Sequence, residues 1–132
     1  MPALSELVSV RTRYRRVVNL STDSHDARAL DDILVTPLVA HALERLLTNL
    51  ESPQGERSFM IFGPYGAGKS TFALFINALF SMGAHKESQA YAALRKTSPE
   101  LAARFLPLCA TKRPWFCVPL TARRSPIGHI IL

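Results

Sequence analysis

Ser58-Phe59-Met60-Ile61-Phe62-Gly63-Pro64-Tyr65-Gly66-Ala67-Gly68-Lys69-Ser70-Thr71-Phe72-Ala73-Leu74-Phe75-Ile76-Asn77-Ala78-Leu79-Phe80-Ser81-Met82 is the stretch from which the rest of the chain is read. The short apolar run Phe59 to Phe62 predicts a buried strand. It feeds Gly63 to Ser70, which satisfies the pattern G-x-x-x-x-G-K-[ST] at every position. An apolar helical run follows at once. The order has a chemical reason. Glycines let the backbone turn so that successive N–H groups point at phosphate oxygens. The helix beginning there adds free N–H groups and the positive end of its dipole. Lys69 would reach the β- and γ-phosphates, and the Ser70 hydroxyl would ligate Mg²⁺. With average residue usage the pattern arises by chance in roughly half a per cent of chains of this length. The bland alternative is a glycine-rich turn before a core helix.

Residues 59 to 82 resemble the Walker A segment of P-loop NTPases. The wording Gly63-Pro64-Tyr65-Gly66-Ala67-Gly68-Lys69-Ser70, after about sixty residues of lead-in, is similar to AAA-type ATP-binding proteins. The resemblance implies ATP in preference to GTP, with Mg²⁺. By position it assigns phosphate contacts to Gly63, Pro64, Tyr65, Gly66, Ala67, Gly68, Lys69, Ser70 and Thr71. Lys69 would be the catalytic lysine and Ser70 the metal ligand. It also implies that the adenine packs against Ile33, Leu34 and Val35, for which a core extension is the plain alternative.

The chain has 132 residues, a single-domain length, with 48% hydrophobic and 20% charged residues, enough for a core and against disorder. Cys109 and Cys117 stand eight apart with no C-x-x-C partner, which argues against zinc and against a disulfide framework. Cys117, in an apolar run, reads as a small core residue. There is no signal peptide. No apolar run reaches the length of a membrane span, because Asn77 and Ser81 interrupt the longest. A cytoplasmic protein is expected.

The net charge of +6 is unevenly placed. Residues 1–57 carry seven Lys/Arg against eight Asp/Glu, and residues 58–132 carry nine against two. Arg11-Thr12-Arg13-Tyr14-Arg15-Arg16 suits a phosphate-backbone contact with Tyr14 stacking on a base. The plainer reading, which is preferred, is a solvated charge run or one paired with the nearby Asp23, Asp26, Asp31 and Asp32. His25, His41 and His85 read as solvated side chains.

Along the chain, residues 23–31 predict a short helix capped by Asp23 or Ser24. Thr36-Pro37 predicts an N-cap and first helical position for a helix to about Leu50, with Val39, Leu43, Leu46, Leu47 and Leu50 on its apolar stripe. The helix after the loop is apolar nearly all round, so it must be covered on more than one side. Residues 87–106 predict two helical pieces split at Ser98-Pro99. Trp115 to Leu120 predicts a second buried strand, after the basic Lys112-Arg113-Pro114, with Arg123 and Arg124 in the loop at its end. Ser125-Pro126 predicts a further helix start. Strand, loop, helix, strand, loop, helix is the repeat of a parallel α/β sheet.

The fold expected is therefore an α/β P-loop-type parallel sheet with flanking helices, in incomplete form. Residues 1–36 form a basic lead segment and residues 37–132 the N-terminal part of a P-loop NTPase domain. Hydrolysis needs an acid at the end of a further strand. After Lys69 the acidic residues are Glu87 and Glu100, neither ending an apolar run. The expectation is an ATP-binding module of an AAA-type ATPase, inactive as this chain, with further copies as partners of its full-length form. The alternative is a basic nucleic-acid-binding module with a non-hydrolytic nucleotide switch. A small nucleoside kinase is a third option, weakened by a loop that starts as late as Gly63.

Overall fold

Thr36 shows how a helix starts in this chain. Its hydroxyl accepts a hydrogen bond from the Val39 N–H at 3.3 Å, and Pro37 follows at the position where a missing N–H costs nothing. A computed structural model of the protein describes residues 18–24, 26, 29–31, 33–81, 88–109 and 115–119. Within these, α1 is the single turn Leu20–Asp23, α2 is Pro37–Glu51, α3 is Lys69–Phe80, α4 is Gln89–Thr97 and α5 is Pro99–Cys109. Ser88 caps α4 as Thr36 caps α2, its Oγ accepting from the Tyr91 N–H at 3.1 Å. The α4–α5 break falls at Ser98-Pro99, where the proline opens the next helix.

The core is helix on helix. α3 contributes Phe72, Leu74, Phe75, Leu79 and Phe80. Against them stand Leu43 and Leu47 of α2, Ala90 and Leu94 of α4, Ala102 and Phe105 of α5, and Leu30 and Val35 from the lead-in. Phe80 meets Phe105 edge to face at 4.9 Å and Trp115 at 5.3 Å. α3 packs against α1 and α4, and α5 packs against both α2 and α4. The burial that the apolar α3 demands is thus supplied by helices.

Here the structure corrects the expected fold class. Among the described residues there is no strand and no sheet. Phe59–Phe62 and 115–119 have no regular secondary structure, and among the described residues their backbones make no hydrogen bond to another segment. Phe59, Met60, Ile61 and Phe62 are 42%, 87%, 49% and 87% exposed, which is an alternation without burial. An extended chain becomes a strand only when a neighbour takes up its N–H and C=O groups. The first run is four residues long and closes on Gly63-Pro64; the second is bounded by Pro114 and Pro119. Those prolines remove donors where a ladder would continue. With α3 covered by helices, neither run has a sheet to join.

The lead-in also differs. In place of a helix over 23–31, the helical turn is Leu20–Asp23, and Asp23 closes it from its end rather than capping a later helix. The Asp23 carboxylate accepts from the Asn19 N–H at 2.9 Å and from the Thr22 hydroxyl at 3.2 Å. The runs Arg11–Arg16, Lys112–Pro114, Arg123-Arg124 and Ser125-Pro126, and the residue Glu87, lie outside the described residues.

Two clasps fasten α2. Arg104 of α5 reaches across to it, placing Nη2 at 2.8 Å from Glu51 Oε2 and 3.0 Å from the Thr48 hydroxyl, with Glu44 at 3.8 Å. The Arg104 guanidinium holds the Glu51 carboxyl below the usual glutamate range. At the C-terminal end of α2, Arg57 donates to the carbonyl oxygens of Asn49, Ser52 and Gly55. Those oxygens face the negative end of the helix dipole, where a cation is favoured. No helix of the described residues is long and apolar enough to cross a membrane.

Candidate phosphate-binding loop

The loop Gly63–Ser70 is built from two left-handed glycines and a helix start. Gly66 and Gly68 both have φ of 80°, a region that residues with a Cβ enter at a cost. Nothing lies within 4 Å of where a Cβ would stand at either, so the glycines serve the backbone conformation and leave the space above it open. Gly68 is the residue before α3, and no side chain caps that helix. Its first amides therefore keep their N–H groups for another acceptor.

Within the loop the Ala67 N–H bonds the Pro64 carbonyl at 3.3 Å, and the Phe72 N–H bonds the Gly68 carbonyl at 2.9 Å. The N–H groups of Tyr65, Gly66, Gly68, Lys69, Ser70 and Thr71 have no acceptor among the described residues. Six donors on one turn of chain, beside a helix N-terminus, fit an anion with several oxygens. Lys69 curls back over the same turn. Its ammonium donates to the Gly63 carbonyl at 2.9 Å and to the Pro64 carbonyl at 2.7 Å. The positive charge thus sits at the Gly63-Pro64 end of the loop. Ser70 is exposed at the start of α3, and its hydroxyl makes no hydrogen bond to a described residue. Tyr65 is exposed at the loop's tip.

A cavity of about 360 Å³ opens beside the loop. Its walls come from Ile33, Leu34, Leu38 and Val39 on one side and from Ile61, Phe62, Phe72 and Phe75 on the other. Gly68, Lys69 and Thr71 form the edge nearest the loop. The polar groups in this lining are few: Thr36, whose hydroxyl is engaged with Val39, Thr71, and the lysine. Two of the three residues expected to meet a base, Ile33 and Leu34, line this space. The third, Val35, does not; it is buried in the helical core.

The sequence pattern named the loop but not the cavity wall across from it. Val39, Phe62 and Phe75 read as core or strand positions and Leu38 is not singled out; only the approach of α2 to the loop brings them together. Cys117 is a free thiol, half-buried against the core. Among the described residues no group of three or more His, Cys, Asp or Glu is placed to hold a metal ion. The chain matches no family model, no curated protein and no solved structure.

Proposed function

We propose that the chain binds ATP, as its Mg²⁺ complex, through the loop Gly63–Ser70. The observation that carries this reading is the conjunction of six backbone N–H groups that have no acceptor among the described residues with the Lys69 ammonium bonded to the same loop. It rests on the loop and not on the architecture around it, which is helical. The N–H groups of Tyr65, Gly66 and Gly68 would bind the phosphates, with those of Lys69, Ser70 and Thr71 at the helix start. Lys69 would exchange its neutral carbonyl partners for anionic phosphate oxygens, so that both members of the bond are charged. Ser70 supplies a hydroxyl for the metal, which would neutralise charge shared between the phosphates. The neighbouring cavity would take the base against Ile33 and Leu34, and the likeness to AAA-type proteins makes that base adenine.

Binding rather than hydrolysis is the activity proposed. The described acid after Lys69 is Glu100, exposed in the first turn of α5, outside the loop and the cavity lining. The chain's own residues hold and orient phosphates; none described is placed to position water.

The test is titration of the full chain with a fluorescent ATP analogue, with inorganic triphosphate as competitor. Lys69→Ala should weaken both ligands by about 10- to 100-fold, the worth of one or two charge-assisted hydrogen bonds. Unchanged affinity in that variant overturns the assignment.

A further inference from the structure

Without a sheet, something else must set the register of the segment that leads into the loop. Phe59, Met60 and Ile61 border Arg45, Leu46 and Asn49 in a small cavity of about 160 Å³. One step further on, Ile61 and Phe62 border Leu38, Val39 and Ala42 in the larger one. The segment therefore runs antiparallel to α2, from its C-terminal end to its N-terminal end. No backbone hydrogen bond to a described residue fixes it along the way.

Its two ends are fixed. At the loop end, Lys69 holds the carbonyls of Gly63 and Pro64. At the other end, the Arg57 guanidinium bonds the carbonyls of Asn49, Gly55 and Ser52, the last two at 3.0 and 2.7 Å. Asn49 doubles the attachment: its Oδ1 accepts from the Glu56 N–H at 3.1 Å while its Nδ2 donates to the Arg45 carbonyl at 2.9 Å. The turn is pressed so close that a Cβ on Gly55 would fall 1.9 Å from the Asn49 carbonyl oxygen.

We infer that Arg57 is a positioning residue: with Asn49 it pins the register of Ser58–Phe62 along α2 and so sets which side chains wall the cavity beside the phosphate loop. In an extended chain a slip of one residue exchanges the two faces. With the pin in place Phe59 and Ile61 are the more covered pair and Met60 and Phe62 the more exposed. A planar fork of donors suits this task, because it engages several carbonyls of a turn at once where an ammonium cannot. The consequence for ligand binding rests on the nucleotide reading above; the register itself does not.

The experiment reads both. Met60→Cys and Ile61→Cys are introduced separately in the full chain, with and without Arg57→Ala, and alkylation at each site is followed by peptide mass mapping. With Arg57 present, the thiol at 60 should react about 3- to 10-fold faster than at 61; with Arg57→Ala the ratio should fall to within about twofold of unity. Persistence of the alternation overturns the pin. In parallel, Arg57→Ala in the otherwise native chain should weaken the fluorescent ATP analogue about tenfold and leave inorganic triphosphate within about twofold, with Arg57→Lys failing to restore it. Equal weakening of both ligands overturns the link between register and the base cavity. A native chain that binds neither ligand overturns the nucleotide reading alone, and the alkylation ratio still decides the pin.

Discussion

Lys69 and Pro64 close the loop on itself: the ammonium lies 2.7 Å from the Pro64 carbonyl oxygen, which also accepts the Ala67 N–H. One oxygen thus holds the turn from two sides. Lys69→Met keeps the stem of the side chain and removes the ammonium. The Ala67 amide should then exchange with solvent several-fold faster in the absence of any nucleotide, read by hydrogen exchange. An unchanged rate would show that the lysine does not hold the turn.

The glycines are expected to separate into three classes under alanine substitution. Gly66→Ala and Gly68→Ala meet no atoms but must keep φ of 80°, costing about 1–2 kcal/mol each and lowering triphosphate affinity. Gly63→Ala meets only the Ala67 methyl at 3.7 Å, an ordinary contact, and should be tolerated. Gly55→Ala collides with the Asn49 backbone and should cost the most, because no flexible side chain is there to yield. Urea melts of the four variants give the order; equal midpoints would contradict it.

Leu34 and Val35 are neighbours with opposite expectations. Leu34 is exposed on the cavity wall, whereas Val35 is buried in the core. Leu34→Asp should weaken ATP, spare triphosphate, and leave the melting midpoint within about 0.5 kcal/mol of the native chain. Val35→Asp buries a carboxyl without a partner and should unfold the chain. Loss of triphosphate binding in Leu34→Asp would remove the base from this cavity.

These contrasts show what the sequence made legible. The turn at Gly63–Ser70 and the helix start after it were readable because the pattern is contiguous: its glycines and the helix they precede are neighbours in the chain. α2 and the α4–α5 break were readable because Thr36, Pro37 and Pro99 act locally. The sheet was misread for the converse reason. Phe59–Phe62 has the composition of a strand, but pairing is settled by a partner elsewhere, and composition does not show whether one exists. The apolar surround of α3 required cover on more than one side, and the sheet was expected to supply one of them; among the described residues helices supply it instead. Val35 was placed with Leu34 because a tripeptide has no visible inside until its neighbours are known.

Phe75 and Phe62 test the corrected architecture directly. Phe75 is fully buried, so Phe75→Ala should cost about 3–5 kcal/mol through lost contacts and the space left behind. Phe62 is largely exposed, so Phe62→Ala should stay within about 0.5 kcal/mol. A buried strand would make the two comparable, and comparable losses in denaturant would restore it.

The clasp between Arg104 and Glu51 should carry a pH signature. The Arg104 hydrogen bond holds the Glu51 carboxyl below its ordinary value near 4.5. A lowered acid contributes stability that is complete above its unfolded value and fades as pH falls through its folded one. Arg104→Ala should therefore cost up to about 1 kcal/mol at neutral pH, the range for an exposed pair. The difference from the native chain should hold down to about pH 5 and fade only as the pH falls through the lowered folded-state value of Glu51. Arg104 is itself raised by Glu51 and stays charged throughout that range. A gap that persists in acid would assign the loss to packing of the side-chain stem.

The chain has one tryptophan, and the molecule has placed it where its light is informative. The Trp115 indole rests edge-on against Phe80 at the last residue of α3 while its N–H bonds the Leu108 carbonyl of α5 at 3.0 Å. The loop Gly63–Ser70 meets the first residue of that same helix, 11 positions earlier in a 12-residue element, so about 16 Å of rigid rod separates the two. Tryptophan emission is thus a built-in gauge at the far end of α3. Any change it registers on addition of triphosphate has travelled the length of the helix, and steady emission on binding would mark the loop as a site that fills without moving its support.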